Sequence, residues 1–369
     1  VKSVGRVRVG VIGAGSWTIS SHLPNLLRHP DVELVAVSRK GPDLLAWVKD
    51  EFGFAVASED YRDVLDADVD VCVVGSPSAL HFEHARAALE SGAHVMCEKP
   101  FTVDPGDAWE LVATAERVHR HLVVAFGWNY QQVAQAAQAF MADGGIGELE
   151  QMSVTMSSVT RELLSNTGAY PGASDHAVPE SRTWTDPSVS GGGYGQAQLS
   201  HALGLALWLT GARIDSGIAL MSAPMDAPVE LHDAMTMRFD NGAIGVLSGG
   251  SSHLGASRYS HALEIRAIGS EGQIMVDTER EAAWHYRDGR ERAAELPAGS
   301  GRQDCVGPID AIVAAGRGEP FENASPGELG ARTVEVLDIA YRGARSGRLE
   351  SRRTTPSTNG RGDGSAHDE

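Results

Sequence analysis

Two basic side chains and one glycine turn, far apart in the chain, are the residues best placed to do chemistry. Lys99 stands in Glu98-Lys99-Pro100, directly after the apolar run Val95-Met96-Cys97. An ammonium placed where a buried strand meets its loop is costly unless it has a task or a partner. Glu98 is the nearest candidate partner, but successive side chains of a strand point to opposite faces, so the two need not pair. Pro100 restricts Lys99 to extended geometry and so preorganises a proton donor. His201 lies in an apolar stretch with Leu205 and Trp208 on the same helical face. Imidazole suits proton exchange near neutrality, and the rival reading is a satisfied core histidine.

The glycine turn is Gly13-Ala14-Gly15-Ser16-Trp17. Val7, Val9, Val11 and Ile12 form a β-branched run before it, and Ile19, Leu23, Leu26 and Leu27 follow at helical spacing. A strand that stops at Gly-x-Gly and restarts as a helix aims free N–H groups and a helix N-terminus at one point, which attracts a pyrophosphate. The third glycine of that pattern is replaced by Thr18. In such folds an acid about 20 residues after the glycines binds the adenosine ribose. Here the second strand, Asp31 to Val37, runs into Ser38-Arg39-Lys40 with no carboxylate. A hydroxyl and two cations suit a ribose carrying a 2′-phosphate, so NADP is expected over NAD; a solvated basic turn is the rival reading.

The elements that must position these groups alternate. Pro42 to Phe52 reads as an amphipathic helix with proline in its first turn. Asp70 to Val74 is a buried strand ending at Gly75-Ser76-Pro77, beside the first strand's end. The following helix carries His81, either a cofactor contact or a core histidine. Ala93 to Pro100 is the next strand, Asp104 caps a long helix, and His121 to Phe126 leads to Gly127-Trp128-Asn129. This alternation predicts a doubly wound parallel sheet.

The whole chain sets bounds. With 31 Lys plus Arg against 49 Asp plus Glu in 369 residues, the formal charge is −18. Such a surface argues against nucleic acid and against an anionic membrane as partners. No apolar run approaches the roughly 20 residues a bilayer span needs. Val1 to Arg6 is too short for a signal peptide. Cys72, Cys97 and Cys305 make neither a disulfide framework nor a metal cluster, and they read as buried thiols in a reducing cytoplasm. Asp175 and His176 lack a third ligand at a convincing spacing, so no metal is expected.

Together these pieces resemble the Gfo/Idh/MocA family of glucose–fructose oxidoreductase and inositol dehydrogenase. The matching residues are Gly13-Ala14-Gly15, Ser76-Pro77 with His81, Glu98-Lys99-Pro100, Gly127-Trp128-Asn129, Gly147-Glu148-Leu149, Gly191-Gly192-Gly193 and His201, spread over positions 7 to 345. The resemblance implies reversible hydride transfer between NAD(P) and a secondary alcohol of a sugar or cyclitol. Lys99 would bind the reacting hydroxyl. Family members commonly carry an aspartate one turn before the histidine, where this chain has Ala197. That departure leaves Lys99 and His201 to share the acid–base work, with Tyr194 as a further donor and Gln198 orienting a hydroxyl.

Beyond Leu149 the pattern changes to alternation at Met152-Val154-Met156, Met235-Met237-Phe239 and Leu263-Ile265-Ala267. Turns at Asp240-Asn241-Gly242 and Gly269-Ser270-Glu271-Gly272 complete it. These strands predict an open, mainly antiparallel sheet in an α+β domain, which the resemblance places against the first domain and another subunit. The loop from Tyr170 to Ser190, with Asp175, His176, Arg182, Trp184 and Asp186, suits sugar recognition or a subunit contact. Pro308 to Gly316 and Pro326 to Arg345 read as helices, which the resemblance implies return to brace the first domain.

The expected organisation is therefore a Rossmann domain over 1–128, a substrate and oligomerisation domain over 129–304, bracing helices over 305–350 and a disordered tail over 351–369. The tail's Arg361-Gly362-Asp363 reads as coincidence. Site expectations are Lys99 and His201 for catalysis. Gly13, Gly15, Ser16, Trp17, Ser38, Arg39, Lys40, Ser76, Pro77, His81, Glu98, Lys99 and Asn129 are expected at the coenzyme. Lys99, Trp184, Tyr194, Gln198 and His201 are expected at the substrate. The expected activity is an NADP-preferring oxidoreductase acting on a ring hydroxyl or ketone of a sugar, nucleotide sugar or cyclitol, cytoplasmic and a dimer or tetramer. Rival readings are redox-assisted glycoside cleavage with retained coenzyme, and a non-catalytic dinucleotide sensor.

Overall fold

The computed structural model describes residues 5–253, 255–256 and 258–353. The first sheet joins β1 (Val7–Ile12), β2 (Val32–Ser38), β3 (Val56–Ser58), β4 (Val71–Val74), β5 (His94–Cys97) and β6 (Leu122–Val124) in the order β3-β2-β1-β4-β5-β6. All its neighbours pair in parallel. The inner strands β1 and β4 are rich in β-branched residues and almost wholly buried, as strands covered by helices on both faces are. The order reverses between β1 and β4, so their carboxyl ends open the crevice where such sheets bind ligands. Asp104 caps the helix Pro105–Arg117 through the N–H of Gly106, and Pro42 opens the helix Pro42–Phe52.

Leu27 departs from its helical spacing: it is 52% exposed, whereas Ile19, Leu23 and Leu26 are buried. Residues Thr18–His22 wind as a π-helical turn before the α-helix Leu23–Arg28. The wider turn shifts the phase of the apolar stripe by about one residue.

The second sheet has nine strands: β7 (Leu149–Ser158), β8 (Ile214–Ser222), β9 (His232–Phe239), β10 (Ile244–Ser251), β11 (His261–Gly269), β12 (Gly272–Asp277), β13 (Ala282–Arg287), β14 (Arg290–Ala293) and β15 (Glu350–Ser351). Their order is β14-β13-β12-β11-β7-β10-β9-β8-β15. Its pairs are antiparallel except β7 with β10. The turns at Asn241-Gly242 and Ser270-Glu271 join β9 to β10 and β11 to β12, as the alternation predicts. The apolar helix Ser200–Thr210 packs against β7 and β11 of this sheet.

Two helices return to the first domain. Val306–Arg317 inserts Ile309, Ile312 and Val313 into a core shared with Val7, Val9 and Val71. Gly327–Ser346 lies between the domains, where buried Glu335 accepts from Trp109 Nε1 and from Arg213 Nη2, each at 2.9 Å. The chain beyond this helix stays ordered further than expected. Glu350–Ser351 pairs with β8, and the Arg352 N–H donates to the carbonyl of Asp215 at 2.8 Å. The remaining tail and its Arg361-Gly362-Asp363 lie outside the described residues. Among the described residues no helix is long and apolar enough to cross a membrane.

Candidate active site

The glycine turn is built by close contacts. Gly13 has φ +87°, and a Cβ on it would lie 2.3 Å from the amide nitrogen of Ser76. The carbonyl of Ser38 accepts the N–H groups of Gly13 at 2.9 Å and Ala14 at 3.1 Å, fastening β2 to the turn. Thr18, standing where a third glycine is usual, packs its Oγ1 where a Cβ of Gly75 would sit, at 2.2 Å. The close helix–strand approach is kept, with the glycine moved to the facing strand. Around Gly15 there is open space for a Cβ. The first-turn N–H groups beside it have no acceptor inside their helix. A cradle of this kind fits a pyrophosphate.

From this turn a cleft of about 310 Å3 runs along the carboxyl ends of the first sheet. One end is bounded by Arg39, Lys40 and Leu44, and the other by Lys99, Gln196 and Ala197; Ser16, Trp17, Ser76 and Pro77 line the middle. His81 also borders it, but both ring nitrogens are engaged, facing the carbonyls of Ser76 at 2.7 Å and Pro100 at 2.8 Å. His81 therefore ties the end of β4 to the end of β5.

Glu98 and Lys99 face different partners. The buried Glu98 carboxylate accepts from Trp17 Nε1 at 3.0 Å and from the Lys99 backbone N–H at 2.9 Å, and it meets His22 Nε2 at 2.5 Å. Burial works to raise its pKa; the bond to His22 and the neighbouring charges outweigh that and hold it below the ordinary value. The Lys99 ammonium crosses to the other domain and donates to the carbonyl of Ala197 at 2.8 Å. Desolvation lowers the Lys99 pKa, with the charge of Glu98 opposing. The Lys99–Pro100 peptide is cis.

Ala197 lies in a π-helical turn, Gly195–Leu199, that leads into the helix carrying His201. His201 is buried, and its Nδ1 has no hydrogen-bond partner among the described residues. Burial drives its pKa well below the ordinary histidine value, and the nearby charge of Lys99 adds to that. A second imidazole that the sequence reading did not single out, His261, opens β11. Trp128 lies between the two imidazoles, its ring centroid 4.8 Å from His201 and 5.1 Å from His261, edge to face with both. Desolvation, with the Lys99 charge contributing, lowers His261 to about 4. No local pattern distinguishes His261 from other strand-initial residues; only the fold brings it near Lys99.

Other expected residues lie elsewhere. Asn129 is fully buried and donates to the carbonyls of Ala324 at 2.8 Å and Gly204 at 3.4 Å, away from the cleft. Tyr194 is likewise buried, its hydroxyl spent on the Met156 carbonyl at 3.2 Å and Ser158 at 3.3 Å. Gln198 points its buried Oε1 away from any partner among the described residues and does not border the cleft, whereas its neighbours Gln196 and Ala197 do. Ser38 contributes only its carbonyl. The Asn129 amide nitrogen and the Tyr194 hydroxyl are satisfied by core partners, whereas the Asn129 Oδ1, like the Gln198 Oε1, has none among the described residues.

The Tyr170–Ser190 loop lies over the cleft. Trp184 borders it, as do Val178 and Glu180. Arg182 and Asp186 pair with each other at 3.0 Å, and Asp186 also caps the turn at Ser188. His176 stacks on Trp47 of the first domain with centroids 4.6 Å apart.

Fold and cleft together define a dinucleotide-binding architecture, a glycine turn at the ligand-binding edge of a parallel sheet faced by a loop and helical turn of a second domain. Residues 7–126 match the oxidoreductase family model with an NAD-binding Rossmann fold, and residues 134–275 match the Gfo/Idh/MocA C-terminal domain. The chain belongs to the Gfo/Idh/MocA oxidoreductase family. Among curated relatives, the D-glucoside 3-dehydrogenase of Escherichia coli (strain K12) is 33% identical over 144 residues, covering 39% of this chain and 41% of that enzyme. The dTDP-3,4-didehydro-2,6-dideoxy-alpha-D-glucose 3-reductase of Streptomyces antibioticus is 27% identical over 275 residues, covering 74% and 76%. The solved levoglucosan dehydrogenase in complex with NADH and levoglucosan superposes with TM-score 0.75 at 20% identity, over 95% of this chain and 100% of that one. At that identity the likeness speaks to the fold.

Proposed function

We propose that this protein moves a hydride between a nicotinamide dinucleotide and a ring hydroxyl or ketone of a sugar, nucleotide sugar or cyclitol. The observation that carries this reading is that Lys99 and the Gly13–Gly15 turn border one cleft, at the carboxyl ends of β5 and β1 with β4 between them. Gly13, Gly15, Ser16 and Trp17 would hold the pyrophosphate, and Arg39 and Lys40 would meet the adenosine ribose. The coenzyme supplies the hydride acceptor or donor when bound.

Lys99 binds the reacting oxygen and steadies the negative charge that develops on it as the C–H bond breaks. His201 and His261, buried behind the cleft on either side of Trp128 and kept neutral by burial, receive or relay the proton. Trp184 offers a ring face to the sugar. On charge at the end of β2 alone the coenzyme is NADP; Glu180, which borders the same cleft, acts in the opposite sense. The outward side chains Leu220, Ile244, Val246 and Ile268 of the second sheet are exposed, which supports a homo-oligomer through that face.

The test is a panel of sugars, nucleotide sugars and cyclitols, oxidised and reduced, followed at the nicotinamide absorbance band with the wild type and Lys99→Ala. The variant is expected to lose about 10³-fold in turnover while keeping its coenzyme affinity. Coenzyme binding without turnover across the whole panel would favour the dinucleotide-sensor reading instead.

A further inference from the structure

The charge at the ribose end of the cleft is balanced from two sides. Arg39 and Lys40 directly follow β2, where the adenosine ribose is held in this fold. The Lys40 ammonium donates to the Glu59 carbonyl at 2.8 Å, and the Glu59 carboxylate accepts the Gly41 N–H at 2.6 Å. The Arg39 guanidinium is anchored on the carbonyls of Lys40 at 2.9 Å and Ala14 at 3.3 Å. Glu180, from the second domain's loop, borders the same cleft, and its charge acts on Arg39.

That loop is fastened to the first domain. Ala177 is buried in the first-domain core beside Leu44 and Trp47. The Tyr170 hydroxyl lies within hydrogen-bond distance of Ser20 Oγ at 3.2 Å and of Ser16 Oγ at 3.3 Å. These contacts tie the loop to the first domain just ahead of Glu180, with Ala177 in the same core cluster as Leu44, close in sequence to Arg39 and Lys40.

We propose that Glu180 selects the coenzyme: it supplies from the opposite wall the carboxylate that β2 lacks, and so makes the site prefer NAD to NADP. This inference rests on reading the cleft as a nicotinamide dinucleotide site. An unmodified ribose offers hydroxyl donors and gains an acceptor in Glu180. A 2′-phosphate would bring close to two negative charges into a subsite that Glu180 also borders. The glutamate weakens its attraction to Arg39 and Lys40, while its desolvation cost remains.

The experiment titrates the full chain with NAD and with NADP, following the fluorescence of Trp17 and Trp184, both on the cleft. The wild type is expected to bind NAD more tightly. Glu180→Gln is expected to improve NADP binding and to weaken NAD binding, moving the NADP-to-NAD affinity ratio about tenfold or more. Adding Arg39→Ala to that variant should remove the gain for NADP. A wild type that prefers NADP, or an NADP-to-NAD ratio unmoved by Glu180→Gln, overturns the inference and leaves the dinucleotide reading standing. Failure to bind either coenzyme would sink both.

Discussion

The Lys99 ammonium donates its hydrogen bond to the backbone carbonyl of Ala197, 2.8 Å away on the other domain. A carbonyl dipole holds the lysine in place without the full charge that a carboxylate would bring. With desolvation the stronger influence, Lys99 keeps a pKa below the ordinary lysine value.

A carboxylate introduced at this point should reverse that shift. In Ala197→Asp the new charge favours the ammonium form, so the Lys99 pKa rises. If the ammonium is the active form, the alkaline limb of kcat/KM moves upward by about one pH unit. An unmoved limb would mean that Lys99 does not set it.

The two imidazoles around Trp128 should divide the proton work. His201→Asn and His261→Asn are each expected to lower kcat by about 10-fold to 100-fold, with coenzyme affinity unchanged. The double variant should lose less than the product of the two single losses, because residues acting as a unit are not additive. Full turnover in His261→Asn would assign that residue to packing alone.

Glu98 joins the glycine-turn helix to β5 by accepting from Trp17 and meeting His22. Glu98→Ala would leave those buried groups without their carboxylate, at a cost of about 3 kcal/mol. The expected outcome is a fall of several degrees in Tm together with weaker coenzyme binding. Thermal melts with and without coenzyme separate the two effects.

Asp233, buried on β9, gives a stability prediction with a definite sign. Neither carboxylate oxygen has a hydrogen-bond partner among the described residues, and burial, with the nearby charge of Glu230, raises its pKa to about 8. A carboxyl with a raised folded-state pKa holds its proton more tightly in the fold than in the unfolded chain. Its contribution is complete below the unfolded value of about 4. It is lost as pH rises through about 8. Asp233→Asn should therefore be the more stable protein at pH 8.5, by about 2 kcal/mol, and gain little at pH 4. Equal denaturation midpoints at both pH values would contradict the assignment.

Much of the first domain is written in local pattern. β-Branched runs mark β1 and β4, a buried apolar run marks β5, and proline and aspartate mark the starts of the helices Pro42–Phe52 and Pro105–Arg117. The alternation of β7, β9 and β11 was equally legible, because one face of each is core and the side-chain period of a strand is two. Short strands such as β3 and β15 carry too few residues for any period to show.

The residue types of the site were open to reading as well: Gly13 and Gly15 at a strand end, and Lys99 fixed before a proline. Which polar side chains reach the cleft was not. Tyr194 and Asn129 have the donors that a substrate or coenzyme site needs, and packing turned both into the core. His261 and Glu180, without any local signature, were carried to Lys99 and Arg39 by chain that is distant in sequence. Local pattern sets periodicity and turn chemistry because these depend on neighbouring residues. The company of Lys99 and Arg39 depends on how the two domains pack together, and only the tertiary structure decides that.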